Sequence, residues 1–351
     1  MGPAPAVAEI RAAVRAALAP LASGRGGPDG RPGLTLVACS GGPDSLALAA
    51  AAAFEGPRAG LAIGLVTIDH GLQPGSSAQA ERVAAIGAEL GLDPVEILPV
   101  TVDTAGGPEA AARAARYAAL DAVAAALDAA VLLGHTRDDQ AESVLLGLGR
   151  GSGPRSITGM TAVDGRYLRP FLTLPRATTV AACAALGLPV WDDPHNRDAR
   201  FVRARLRHEV LPLLEDVLQG GVGAALARSA ELMRADLAAL DEWAATALSS
   251  AMISAQPCED AASSRDHRDV SAALDVGTLA RLPRAVRTRV LRHWAVGAGA
   301  EPLTAERTDA LDALVVGWHG QHEVQLPGAV VVRRRSGRLE AAALGPPAPQ
   351  E

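Results

Sequence analysis

The chain contains no lysine. All 33 of its basic side chains other than histidine are arginines. Each therefore carries a permanent charge, and none can form a Schiff base with a carbonyl substrate. Aromatic residues are also scarce, at 3% of 351, which leaves Ala, Leu and Val to build the core. The three cysteines, Cys39, Cys183 and Cys258, stand far apart. They offer neither a disulfide framework nor a CxxC metal site, so a reducing, cytoplasmic compartment is the expectation. The longest apolar run, Leu46 to Phe54, falls far short of the roughly 20 residues that span a bilayer, and no membrane partner is expected. Near the amino end, Glu9, Arg11 and Arg15 lie among alanines. That reads as a surface helix, not as a basic segment followed by an apolar secretion signal.

What is present describes a globular protein of two or three domains. Hydrophobic residues make up 49% of the chain, too many for wholesale disorder. A helix is expected over residues 1–22 and a turn-rich linker, SGRGGPDGRPG, over 23–33. Short apolar segments then alternate with helical patterns: strands at 34–39, 61–69, 95–100 and 129–134, and helices at 43–54, 76–91, 108–127 and 138–148. This alternation predicts an α/β fold with a doubly wound, mostly parallel sheet. After Gly149 the texture becomes richer in Arg, Gly and Pro, with fewer strand signals. A long helix follows at 222–250, then a polar linker at 254–269. The remainder, 270–340, predicts a small α+β domain with helices at 278–297 and 304–316 and a strand pair in EVQLPGAVVVRRR. The expected domains are 1–216, a linking region 217–269, 270–340, and a tail, 341–351.

The net charge of −6 hides an uneven distribution. Residues 1–149 hold 9 Arg against 16 acids, a balance of −7. Residues 150–207 hold 10 Arg against 4 acids, a balance of +6, and residues 270–351 a balance of +2. A polyanion would bind the middle and C-terminal parts.

The sharpest motif is Ser40-Gly41-Gly42-Pro43-Asp44-Ser45, between a strand and a helix amino terminus. Glycines let backbone wrap an anion closely, and free helix amides point at it. Without lysine it cannot be a Walker A loop, and it is not GxGxxG. Asp44 would be repelled by bare phosphate, so it points to Mg²⁺ or an electrostatic role. A capped structural turn is the plainer reading of the same residues. Asp138, Asp139 and Glu142 follow the fourth strand, whose end carries His135. Glu142 shares a helical face with either aspartate. Such a cluster can hold a cation or take a proton, or it can simply complement the helix dipole. Asp69 and His70 end the second strand, and a structural role for His70 is equally open. Arg203, Arg205 and Arg207 alternate in a helical stretch ending at Pro212, either a solvated basic face or a contact for the phosphates of a polyanion. Arg333-Arg334-Arg335 is a weaker case of the same kind. Trp243, Trp294 and Trp318 lie in helical patterns and are expected in the core.

Ser40–Ser45 resembles the PP-loop, SGGxDS, of the N-type ATP pyrophosphatases, which cleave ATP between the α and β phosphates. Further segments narrow the resemblance: DHGLQPGSS (69–77), EAAARAARY (109–117), GHTRDDQAESVLLGLGRGSG (134–153) and DDPHNRDARFVRARLRHEVLPLL (192–214). In this order and spacing they resemble the tRNA(Ile)-lysidine synthase family. Three positions depart from its pattern: Thr136 for a second His, Ser143 for Thr, and Ala204 for Asn. Longer members carry a further C-terminal domain. The resemblance implies ATP, Mg²⁺, L-lysine and a tRNA(Ile) precursor with a CAU anticodon. The wobble cytidine is adenylated at C2, and the lysine ε-amine then displaces AMP. It implies ATP binding by Ser40–Ser45 and catalysis by Asp44, His135, Asp139 and Glu142. The expected Mg²⁺ ligands are Asp44 and Asp138. Arg113, Arg116, Arg150, Arg203, Arg205 and Arg207 are expected to bind tRNA, and a homodimer is left open. Within the same superfamily a tRNA cytidine thiolase is the alternative, disfavoured by the isolated cysteines. A small-molecule amide ligase is disfavoured by the basic 150–207 segment, and a non-catalytic RNA-binding module by the acidic cluster.

Overall fold

The structure, a computed structural model, describes residues 2–24, 33–71, 75–101, 108–151, 153–191, 198, 200–253, 270–320 and 323–343. Cys258, the 192–197 part of the DDPHNRDAR segment and the side chain of Glu109 lie outside the described residues. The chain divides into two compact units, 1–233 and 234–351. The division falls inside one long helix.

In the first unit, β1 (Leu34–Ala38), β2 (Ala62–Asp69), β3 (Val95–Pro99) and β4 (Ala130–Leu133) form parallel pairs in the order β3-β2-β1-β4. Parallel strands covered on both faces read as continuous apolar runs, which is why LTLVA and AVLL were legible. Beyond β4 the sheet gains β6 (Tyr167–Leu168), parallel, and β5 (Val163–Asp164), antiparallel. At two residues each, these strands are too short to show a period, and the sequence betrayed little of them.

The helices are α1 (Pro5–Gly24), α2 (Pro43–Glu55), α3 (Ser76–Glu89), α4 (Pro108–Ala126), α5 (Arg137–Arg150) and α6 (Arg176–Leu186). Val7, Ile10, Val14 and Leu18 form one stripe of α1, buried with α2 residues in a single core cluster. The core is built from small side chains, and Phe171 is its largest fully buried one. Helix α3 starts at Gly75 in a left-handed turn, with no side-chain cap among the described residues. One expectation at a helix end is corrected. The arginine-rich helix does not stop at Pro212: α7 (Val202–Arg205) passes through a π turn, Leu206–Val210, into α8 (Leu211–Val217). A proline has no N–H to donate, so the first turn of a helical segment tolerates it.

Strand order reverses at β1, whose neighbours are β2 and β4. The crevice outside the carboxyl ends of strands at such a point is where ligands bind in open α/β sheets. Gly134, just past β4, lies against the first turn of α2. A Cβ there would sit 3.0 Å from the Asp44 carbonyl and 3.1 Å from the Ser45 nitrogen. Gly134→Val is therefore expected to destabilise the protein by about 1–3 kcal/mol through overpacking, read as a fall in denaturant midpoint. An unchanged midpoint would show that the two segments can separate freely.

Helix α9 (Val222–Ala251) leads into the second unit, where β7 (Met252–Ile253), β8 (Val270–Asp275), β9 (Glu323–Leu326), β10 (Val330–Arg335) and β11 (Arg338–Ala343) form an antiparallel sheet. Its core cluster takes in residues of α10 (Val276–Ala280), α11 (Arg284–Gly297) and α12 (Ala305–Val316). The single helix expected over 278–297 is two, because Pro283 disfavours helical geometry at Leu282 and starts α11 afresh. Of the three tryptophans assigned to the core, only Trp294 is there. Trp243 and Trp318 are 48% and 45% exposed. Arg334 donates to the carbonyls of Leu314 and Val315 at the end of α12 and stacks on Trp318. Arg333 pairs with Glu323 across the sheet at 2.8 Å.

Candidate active site

The PP-loop-like segment follows β1 directly. Gly41 has φ +85°, and a Cβ on it would lie 2.6 Å from Gln79 and 2.9 Å from Val83, so only glycine fits this turn. The Ser45 hydroxyl donates to the Gly42 carbonyl at 3.0 Å and accepts the Ser40 amide at 3.2 Å, which ties the loop into a ring. No side chain caps α2; its N-cap is Gly42 and its first residue Pro43. The first-turn amides are left for an anion, with the helix dipole behind them.

The Asp44 carboxylate joins a network of carboxylates and guanidinium groups. One carboxylate oxygen accepts the Thr179 hydroxyl, and the other lies 3.0 Å from Nε of Arg176. Arg176 also reaches Asp139 at 3.0 Å through Nη2, and its backbone amide donates to Asp138 at 2.8 Å. Arg207 joins from the π turn, 2.7 Å from Glu142 and 3.2 Å from Asp139. Asp44, Asp138, Asp139 and Glu142 are thus brought together at the carboxyl edge of the sheet. Arg176, Thr179 and Glu215 also belong to this region and were missed. Arg176 carried one legible signal: a cation in the first turn of a helix opposes the macrodipole and asks for another explanation.

Of the two readings of the 138–142 cluster, the structure bears out the helix-start one for Asp139. Its Oδ2 accepts the Thr136 amide at 2.7 Å and the Thr136 hydroxyl at 2.9 Å, a capping box that starts α5. Its Oδ1 faces both arginines. The expectation that Asp139 serves chemistry and not the helix start is corrected accordingly. Thr136, the departure from a second histidine, is fully buried in that cap. Burial would raise the Asp139 pKa, but Arg176, the Thr136 amide and Arg207 together hold it below its ordinary value. Burial wins for Glu142 and Asp44, whose pKa values are raised despite opposition from Arg207 and Arg176 respectively. Glu142 is fully buried, and its Oε2 has no hydrogen-bond partner among the described residues. A cavity of about 220 Å³ opens beside it, lined by Asp138, Glu142, Arg176, Arg207, Leu211 and Glu215, among others. Glu215 accepts the amides of Val222 and Gly223 and so joins α8 to the start of α9.

A second, cationic group lies around His135. Arg113 and Arg116 on α4 stack on Tyr117, with Arg113 donating to its hydroxyl at 3.4 Å. The Arg116 Nε is buried without an acceptor among the described residues. His135 Nδ1 is buried and also lacks a partner there. Burial, reinforced by Arg116, Arg169 and Arg113 against the pull of Asp139, lowers the His135 pKa from 6.5 to about 3. Between those values the unfolded chain binds one proton more than the folded one. Stability contributed by neutral His135 is complete above pH 6.5 and is lost as pH falls toward 3. His135→Gln should flatten the pH dependence of stability between pH 6.5 and 4 by up to one proton, measured by denaturant titration at several pH values. An unchanged slope would mean that His135 titrates normally.

Hydrogen bonds from Ser76, then Ser77 and the Gly71 amide, hold the Asp69 pKa low and organise the loop after β2. Arg150 ends α5 on the exposed side, and Arg205 makes a surface pair with Glu209 at 3.0 Å. Ala204 is buried. Among the described residues no three His, Cys, Asp or Glu side chains are gathered as a metal cage. Cys39 and Cys183 are both buried against the loop and free.

This geometry agrees with what comparison finds. The model of a PP-loop domain matches residues 28–214, and that of the TilS substrate binding domain matches residues 274–340. The tRNA(Ile)-lysidine synthase of Thermobifida fusca is 54% identical over 345 residues, covering 97% of this chain and 99% of that protein. The synthase of Streptomyces coelicolor is 52% identical over 363 residues, with 97% and 99% covered. Among solved structures, a U34-tRNA thiolase from Methanococcus maripaludis, with its 4Fe–4S cluster, aligns with a TM-score of 0.51 over 65% of this chain and 80% of that one. At 17% identity it attests the PP-loop fold alone. With both domains matched and about half of all positions identical over nearly the full length of such relatives, this chain belongs to the tRNA(Ile)-lysidine synthase family.

Proposed function

We propose that this enzyme joins L-lysine to C2 of the wobble cytidine of a tRNA(Ile) precursor with a CAU anticodon, splitting ATP to AMP and pyrophosphate. The observation that carries the reading is the meeting of an uncapped glycine loop, suited to phosphate, with a buried carboxylate, Glu142, that has one oxygen without a partner among the described residues, beside a cavity. In the first step the cytidine O2 attacks the α phosphorus. An O–P bond forms, the bond between the α and β phosphates breaks, and pyrophosphate leaves. In the second step the lysine ε-amine attacks C2. A C–N bond forms, the C2–O bond breaks, and AMP leaves. Glu142, a stronger base for its burial, takes the amine proton.

The cavity suits lysine: Asp138, Glu142 and Glu215 face an ammonium, Arg207 a carboxylate, and Leu211 and Pro212 an alkyl chain, while Arg176 on its wall is engaged by Asp44 and Asp139. Mg²⁺ fits as an ion carried by the triphosphate, since it takes one or two carboxylates along with phosphate oxygens and needs no cage of protein ligands. Asp44 and Asp138 would hold it, and when bound it would neutralise phosphate charge. The cationic group of Arg113 and Arg116 beside neutral His135 suits an RNA phosphate, with His135 as a neutral hydrogen-bonding partner to the substrate.

Incubation with tRNA(Ile), ATP and labelled lysine, followed by nucleoside analysis, tests the function. Label in a cytidine-derived nucleoside, with one AMP formed for each, is the expected result. ADP and phosphate as products, or label transfer without tRNA, would overturn it. Binding of the tRNA should depend steeply on salt despite the net charge of −6. Arg207 is engaged by Glu142 and Asp139, so the pair Arg203 and Arg205 is the cleaner probe. The Arg205–Glu209 pair is at the surface and worth little, leaving Arg205 able to turn to phosphate. Replacing both by Ala should lower the magnitude of the log K–log salt slope by about 0.7–0.9 for each phosphate no longer neutralised. An unchanged slope would place the RNA elsewhere.

A further inference from the structure

Helix α6 belongs to neither the PP-loop nor the 138–142 cluster, yet it touches both. Arg176 at its start lies between Asp44 and Asp139: its Nη2 donates to Asp139 at 3.0 Å, and its Nε forms an ion pair with Asp44 at 3.0 Å without a hydrogen bond. One turn on, Thr179 donates to the other Asp44 oxygen. A further turn on, the Cys183 thiol donates to the Pro43 carbonyl at 3.2 Å. The position of Arg176 does nothing for its own helix, since a cation at a helix amino terminus is unfavourable. Its planar guanidinium offers a fixed fork that can hold two carboxylates at once, which a single ammonium cannot do in the same geometry.

The two carboxylates are not held equally. Asp139 has its capping box and Arg207 besides Arg176, whereas Asp44 is held by Arg176 and Thr179, both from α6. Asp44 and Asp139 are close enough to repel each other. Removing Arg176 would therefore release Asp44 and leave Asp139 in place.

We infer that Arg176 is a positioning residue for the adenylation step, setting Asp44 of the phosphate loop against Asp139, with Thr179 as its second support. The inference rests on the function proposed above. It separates the two halves of the reaction: lysine meets Glu142 and Arg207, whose mutual contact does not pass through Arg176.

The test measures pyrophosphate release from ATP and tRNA without lysine, and separately the lysine concentration that half-saturates the full reaction. Arg176→Lys should slow pyrophosphate release by roughly 10²-fold, the scale of loss for a misplaced reacting group. Half-saturation by lysine should stay within about twofold. Thr179→Val, a near-isosteric change, should show the same selectivity with a smaller loss, and it keeps the test valid if the arginine variant folds poorly. Both rates are taken per folded molecule, from a thermal melt. A loss of pyrophosphate release that disappears once the rate is taken per folded molecule would overturn the inference in favour of a merely structural ion pair. Unchanged pyrophosphate release in either variant would also overturn it. Failure of the unaltered enzyme to make lysidine would instead refute the proposed function.

Discussion

Glu142→Gln is expected to reduce lysidine formation by about 10²–10⁴-fold, the range for loss of a general base. Glu142 is fully buried, and burial raises its proton affinity above that of an ordinary carboxylate. Its Oε1 is fixed by Arg207 at 2.7 Å, so Oε2 is the atom left to accept a proton. Glutamine keeps the volume and can still accept from Arg207 through its amide oxygen, but it cannot take the amine proton. The variant should still fold, with some loss of melting temperature from the broken charge pair. Adenylated tRNA should accumulate while the lysine product does not. A variant with normal lysidine formation per folded molecule would assign Glu142 a structural role only.

Asp44→Asn should give the complementary phenotype, with pyrophosphate release itself reduced by about 10²-fold or more. An amide has one acceptor oxygen where the carboxylate has two. It cannot satisfy both the Thr179 hydroxyl and the Arg176 guanidinium, which now hold opposite oxygens. The negative charge at the start of α2 is also lost, leaving Arg176 in direct contact with Asp139 only, with Glu142 and Asp138 further off. Rapid mixing with ATP and tRNA in the absence of lysine would show the defect directly. If pyrophosphate appeared at the normal rate and only the lysine step slowed, the roles assigned to Asp44 and Glu142 would have to be exchanged.

The two substitutions act on different halves of one network, and Asp139 joins them. Its Oδ2 belongs to the cap of α5 and its Oδ1 to Arg176 and Arg207. Asp139→Asn would disturb both a capping box, worth about 0.5–2 kcal/mol, and the site. Its melting temperature should therefore fall further than that of Glu142→Gln, alongside its turnover.

The sequence by itself determined the order of strands and helices in the first unit, because each carries a local signature. Apolar runs such as LTLVA mark covered parallel strands, and Gly or Pro marks their ends. It also placed Ser40–Ser45 at a strand–helix turn and His135, Asp139 and Glu142 at the next strand end, since neighbours along a chain stay neighbours in a turn. Tertiary structure alone decided which charges meet. Arg176 lies 37 residues from Asp139, and Arg207 lies 65 from Glu142. No periodicity relates such positions; only the packing of α6 and the π turn against the sheet edge does. The same limit explains Arg207, which local pattern read as part of a basic run for RNA and packing turned inward to two carboxylates. It also explains Trp318, whose helical context suggested burial and whose ring lies at the surface against Arg334. A pattern of residue types reports what a segment can bury. Which partner a charge or a ring finds depends on surfaces brought together from distant parts of the chain.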